Sequence, residues 1–144
     1  MKVSVIGTGY VGLVSGACLS HLGHTVVCVD VDPRKVDMIV EKNPPIYEKG
    51  LQELLDDNVP ARLTATTDLR KAVLESDLSL IAVGTPFDGQ IIDLKYIRQV
   101  AKEIGEALKD KSDYHMVVVK STVVPGTTTD VVLPILEEAS GKTA

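Results

Sequence analysis

The chain has 144 residues, 44% of them hydrophobic and 24% charged, enough for one soluble domain that needs no disulfide or metal staple. A formal net charge of -5 weighs against nucleic acid or an anionic membrane as partner. No apolar run approaches the roughly 20 residues of a membrane span. Met1 and Lys2 lead into a strand pattern without an apolar leader, so a cytoplasmic location is expected.

Short apolar runs alternate with longer helical patterns, as in βαβ units around a parallel sheet. KVSVI (2–6) reads as the first strand. The glycine-rich GTGYVG (7–12) follows. From Tyr10 to Leu22, Val11, Val14, Ala17, Cys18 and Leu22 trace a helical stripe that Gly23 stops. TVVCVD (25–30) is the second strand. Asp32 and Pro33 open the next helix, a capping side chain and a first-turn proline ahead of Val36, Ile39 and Val40. KNPPIYEKG (42–50) is a loop, because paired prolines exclude helix and central strand.

A short helix, LQELLDD, precedes a third strand, RLTAT (62–66), and TDLRKAVLES forms a helix capped by Thr67 or Asp68. LSLIAV (78–83) is apolar enough to be buried on both faces. After GTPFDGQII, the stretch DLKYIRQVAKEIGEALKD sets Leu94, Ile97, Ala101, Ile104 and Leu108 on one face of a long helix. MVVVKS (116–121) is the fifth strand. A last helix runs from about Thr127 to Ala139, kinked at Pro134 and ended by Gly141. Five strands with right-handed crossovers predict one Rossmann-like α/β domain over 1–144, a doubly wound parallel sheet ordered 3-2-1-4-5 with helices on both faces. Cys18 and Cys28 read as small buried hydrophobes. His21, His24 and His115 lack metal-ligand spacing, His24 reads as loop surface, and no metal is expected.

With a strand before it and a helix after, the glycine turn predicts a dinucleotide site. Gly7 allows the tight turn, Gly9 lets a pyrophosphate approach the backbone, and Gly12 lets the helix pack closely on the sheet. Amides around Tyr10, Val11 and Gly12 would face the phosphates from the helix N-terminus. Asp30, 18 residues after Gly12, stands where a carboxylate reaches the adenosine ribose. Taken alone it reads equally as the cap of the following turn. Its charge would repel a 2′-phosphate by about 4 kcal/mol at contact distance, which favours NAD over NADP, although Arg34 nearby would soften this.

Three further stretches, NPPIYEKGL (43–51), VGTP (83–86) and KSTVVPGT (120–127), accompany GTGYVG and DVDPRKV in order. Together they resemble the nucleotide-sugar 6-dehydrogenases, the family of UDP-glucose and GDP-mannose dehydrogenases, over essentially the whole chain. The resemblance implies NAD as cofactor. It implies that the Tyr10 and Val11 backbone contacts the pyrophosphate, that Asp30 and Lys35 reach the adenosine ribose, and that Thr85 and Thr122 line the nicotinamide side. By the same resemblance Thr122 positions a water or the substrate at the reacting carbon, the sole catalytic assignment. Read without it, Lys35 is a solvated charge and both threonines simply end strands. Lys49 stands where the family usually has proline, a departure that bears on this loop's conformation and leaves cofactor binding untouched.

The resemblance further implies a two-step NAD-dependent oxidation at C6 of a nucleotide sugar, UDP-glucose to UDP-glucuronate or GDP-mannose in a close variant, through a cysteine thioester. STVVPGT and PILEEASGKTA lean toward the GDP-mannose branch, while UDP-glucose stands first as the commoner activity. The family's cysteine lies in a Gly-x-Cys-x-Pro-Lys context that neither Cys18 nor Cys28 shares. The chain is therefore expected to be the NAD-binding domain of a longer enzyme, a homodimer or higher, whose UDP-sugar or GDP-sugar is held by a further domain. Alone it is expected to bind NAD without turnover. Dehydrogenases of the 6-phosphogluconate or hydroxyacyl-CoA type share the glycine turn and the acid but not VGTP with STVVPGT. A non-catalytic NAD-sensing module has about this length but no reason to set threonines at the nicotinamide.

Overall fold

The computed structural model describes residues 1–87 and 89–144; Asp88, in the GTPFDGQII loop, lies outside the described residues. Five parallel strands form one sheet: β1 (Lys2–Ile6), β2 (Thr25–Val29), β3 (Leu63–Thr66), β4 (Leu78–Ile81) and β5 (Met116–Val119). Their order is β3-β2-β1-β4-β5, as the sequence predicts. The helices are α1 (Tyr10–His21), α2 (Pro33–Val40), α3 (Leu51–Asn58), α4 (Leu69–Glu75), α5 (Lys95–Leu108) and α6 (Leu133–Ser140). Among the described residues no helix is long and apolar enough to cross a membrane.

Alternation along the strands divides the core between the two sheet faces. Val3, Val5, Val26, Cys28 and Leu80 pack with Leu13 and Ala17 of α1 and Leu51 and Leu55 of α3. Ile6, Val29 and Ile81 pack instead with Ala72 and Val73 of α4 and with Ile97, Ala101 and Ile104 of α5. The register aligns Thr66, Val29, Ile6, Ile81 and Val119 in one row across the sheet. The chain therefore leaves all five strands at one level, and the segments that follow them gather along a single edge.

The helix caps follow the sequence closely. Asp32 accepts from the Arg34 N–H at 3.0 Å with Pro33 opening α2, and Asp68, not Thr67, caps α4 by accepting from the Lys71 N–H. Ahead of Pro134 the last helix begins as a π-turn over Thr128–Val132, and Gly141 ends it in the left-handed conformation (φ 70°). A proline interior to a helix clashes with the carbonyl one turn earlier, and the wider turn provides the room.

The facing of α1 departs from the predicted stripe. Gly12, Leu13, Gly16, Ala17 and Ser20 are buried, whereas Val11 and Cys18 are exposed and Leu22, at the C-cap, is 75% exposed. Small and apolar residues surround this helix on all sides, so hydrophobicity alone does not orient it. Closeness of approach does: a Cβ on Gly16 would lie 2.9 Å from the Cys28 sulfur. Cys18 is thus an exposed thiol, while burial, with the charge of Asp30, pushes the Cys28 thiol up to about 12 and leaves it inert. Val40, expected to be buried on α2, is 48% exposed; Val36 and Ile39 make that contact.

Candidate functional site: a cleft around the glycine turn

The turn after β1 contains three glycines with different physical reasons. Gly7 has φ 102°, a conformation L side chains rarely adopt, and a Cβ there would stand 2.6 Å from the Ala82 carbonyl oxygen. At Gly12 a Cβ would fall 1.8 Å from the Gly7 carbonyl oxygen, so nothing larger lets α1 close onto the turn. Gly9 is unlike both. Its backbone is extended (φ -73°, ψ -169°), and a Cβ there would meet nothing within 4 Å. The fold demands glycine at 7 and 12; at 9 only open space calls for it.

Gly9 is also the N-cap of α1, with no side chain capping the helix, and the first intrahelical bond is the Leu13 N–H to the Gly9 carbonyl at 2.9 Å. The amides of Tyr10, Val11 and Gly12 therefore precede the helix's own ladder, at the end where its dipole favours an anion.

Asp30 follows β2 and holds this turn. Its Oδ2 accepts from the Thr8 N–H at 3.0 Å and from the Thr8 hydroxyl, and its Oδ1 accepts from the Asp32 N–H at 3.0 Å. Lys35 Nζ stands 3.8 Å from the same Oδ2. Burial pushes the carboxyl group up, but the Thr8 hydroxyl, the amides of Asp32 and Thr8 and the Lys35 charge outweigh it, so Asp30 titrates below the usual carboxylate range. Of about four acceptor positions on a carboxylate, three are filled from within the chain. Arg34 does not face Asp30: its Nε and Nη2 bond Asp32 at 3.1 and 2.9 Å, so its charge is already matched.

On the other side of the turn two loops are tied together. The Ser121 hydroxyl donates to the Val83 carbonyl at 2.7 Å, and the Thr85 hydroxyl donates to the Thr122 carbonyl at 2.8 Å. Thr85 thus spends its proton on the loop and keeps acceptor capacity only. The Thr122 hydroxyl has no hydrogen bond among the described residues.

A cleft of about 640 Å³ runs over the carboxyl edge of the sheet and joins these parts. Gly7, Gly9, Tyr10, Val11, Asp30, Lys35, Thr85 and Thr122 all line it, so the structure brings the predicted set together; Gly12 alone lies behind it, under the first turn of α1. Sequence reasoning passed over Thr8; only the structure shows its hydroxyl fully buried between two glycines and bonded to Asp30. It also passed over Tyr96, Gln99 and Glu103 of α5, which share the cleft but read in sequence as a solvated face.

Glycine turn, strand-end carboxylate and edge cleft define a dinucleotide-binding domain of Rossmann type. The chain belongs to the UDP-glucose/GDP-mannose dehydrogenase family: residues 1–144 match its NAD binding domain. GDP-mannose 6-dehydrogenase of Pseudomonas aeruginosa is 50% identical over 147 aligned residues, which cover 100% of this chain and 34% of the relative. UDP-glucose 6-dehydrogenase of Haloferax volcanii is 47% identical over 143, covering 99% of this chain and 33% of the relative. The crystal structure of a ternary complex of GDP-mannose dehydrogenase from Pseudomonas aeruginosa matches with a TM-score of 0.96 at 50% identity, over 99% of this chain and 33% of that one. A UDP-glucose dehydrogenase from Pyrobaculum islandicum matches at 0.93 and 40%, again over 99% and 33%. The chain spans about a third of the length of these relatives.

Substitution at the two glycine positions is expected to separate fold stability from ligand binding. Gly12→Ala is expected to destabilise the chain by about 3 kcal/mol or more through overpacking against backbone. Gly9→Ala should cost below about 1 kcal/mol, the usual scale of an N-cap change, while weakening NAD binding at least tenfold. Urea unfolding and NAD titration of both variants check this; equal stability losses would contradict it.

Asp30 also sets an acid dependence. Its folded pKa lies below the unfolded one, so its contribution is complete above the unfolded value of about 4 and is lost as pH falls through the depressed value. Asp30→Asn should lose about 1–2 kcal/mol at neutral pH. The gap to the unsubstituted chain should close as the medium is acidified, and a gap independent of pH would show that the carboxylate's charge is not what matters.

Proposed function

We propose that this chain is the cofactor-holding domain of a nucleotide-sugar 6-dehydrogenase, with NAD lying along the edge cleft. Gly9 carries this reading: the fold leaves its Cβ direction empty, beside uncapped helix amides, where a pyrophosphate would sit. The amides of Tyr10 and Val11 would bind its oxygens. Asp30, with one acceptor position left, would take an adenosine ribose hydroxyl, and Lys35 would stand beside it. Asp30 would disfavour a 2′-phosphate, and Arg34, occupied by Asp32, does not offset that repulsion.

The nicotinamide, when bound, supplies hydride acceptance. Thr85 would offer an oxygen acceptor to its side of the cleft, and the Thr122 hydroxyl, which has no hydrogen bond among the described residues, would orient a water or the substrate at the reacting carbon. Both loops carrying these threonines are pinned by hydrogen bonds, which keeps the pocket preformed. Family membership supports a dehydrogenase over an NAD-sensing module. The 50% identity to a GDP-mannose 6-dehydrogenase, against 47% for a UDP-glucose enzyme, leads us to put GDP-mannose ahead of UDP-glucose as the sugar of the longer protein. In this 144-residue chain neither Cys18, exposed on α1, nor Cys28, in β2 with its thiol packed against α1, lines the cleft, so the chain binds the cofactor and leaves covalent chemistry to residues elsewhere.

A calorimetric titration tests this. The chain should bind NAD at least tenfold more tightly than NADP, and Asp30→Ala should weaken NAD by at least tenfold. Addition of GDP-mannose or UDP-glucose with NAD should yield no NADH. Absent NAD binding would overturn the reading, and turnover by the chain alone would overturn its assignment as the cofactor-holding part only.

A further inference from the structure

The cleft continues past Asp30 between the start of α4 and one stripe of α5. Leu69 and Val100 give it apolar walls there, and Gln99 and Glu103 supply the polar groups. The opposite stripe of α5, Ile97, Ala101 and Ile104, is buried against the sheet, so the facing of Gln99 and Glu103 is fixed by the core. Apolar walls with a polar rim suit a flat heteroaromatic base with a hydrogen-bonding edge.

The Gln99 amide nitrogen donates to Glu103 Oε1. A carboxylate only accepts, so the nitrogen must face it; reversing the carboxamide would set two oxygens against each other. Gln99 is left with a carbonyl acceptor and one N–H donor on one planar group. On its N1 edge adenine presents the complement, the N6 amino donor beside the N1 acceptor, which a carboxamide meets with paired hydrogen bonds; on the same edge hypoxanthine reverses both groups.

We infer that Gln99, oriented by Glu103, reads the amino edge of the adenine base and makes the cleft selective for adenine over other purines. The inference rests on the NAD reading above. Gln99 is the specificity-determining residue and Glu103 the positioning residue. A hypoxanthine base carries a carbonyl oxygen in place of the amino group, and that oxygen would meet the Gln99 carbonyl with no proton between them. A freely turning glutamine would flip to suit either base. Glu103 prevents the flip, so the selectivity depends on the pair.

The test compares NAD with nicotinamide hypoxanthine dinucleotide, its deamino analogue, on the 144-residue chain by calorimetry. The unsubstituted chain should bind NAD about tenfold more tightly than the analogue. Gln99→Ala should weaken NAD about tenfold, leave the analogue unchanged and bring the ratio near one. Glu103→Ala should also bring the ratio toward one, but by tightening the analogue, a gain that structural damage does not produce. Both side chains line the cleft and lie outside the core cluster, and unchanged melting temperatures verify the fold. Equal binding of the two dinucleotides to the unsubstituted chain, or a ratio unchanged in Gln99→Ala, would overturn the inference while the NAD reading stands. A ratio unchanged in Glu103→Ala would overturn the positioning role. Binding of neither dinucleotide would overturn the NAD reading and the inference with it.

Discussion

The Asp30 carboxylate fastens the end of the second strand to the glycine turn that follows the first, and the cleft is arranged around that bond. A turn containing two glycines within three residues has wide backbone freedom, and an unanchored turn would present its amides over a range of directions. Asp30 removes that freedom by taking both the amide and the hydroxyl of Thr8, the residue between those glycines. Thr8 is fully buried, so the hydrogen bonds work out of competition with water. The same carboxylate fixes the Asp32 amide at the start of α2, which places Lys35 one turn later beside it.

From this anchor the two halves of the cleft diverge. Toward β3, α4 and α5 supply apolar walls with a polar rim. Toward β5, hydroxyl-to-carbonyl bonds from Ser121 and Thr85 hold the loops after β4 and β5 together. The row of strand ends from Thr66 to Val119 puts both halves at one height above the sheet. The proposed NAD, elongated with a charged centre and two flat ends, would have the helix amides at its middle and the loops tied by Ser121 and Thr85 at one end.

Much of this was legible in the residues. Strand order, the caps at Asp32 and Asp68 and the meeting of the glycine turn with Asp30 follow from alternation of period and from turn chemistry, whereas Lys35, Thr85 and Thr122, which line the same cleft, were singled out only by the family resemblance. The facing of α1 was not legible. Its sequence is apolar or small on every side, and the deciding quantity, how near a Cβ comes to another segment's atoms, exists only once the segments are packed. For that reason Cys18 turned outward against expectation. Gln99 and Glu103 were hidden for a different reason: a polar pair one turn apart on an amphipathic helix looks the same whether it faces water or a cleft.

The measurement closest to the central claim is a map of backbone amide shifts in the isotope-labelled chain on addition of NAD. The account predicts the largest changes at Thr8 to Gly12, at Asp30 and around Thr85 and Thr122, all saturating with one affinity. Changes confined to the opposite edge of the sheet, around Lys111 and Tyr114, or no changes at all, would contradict it.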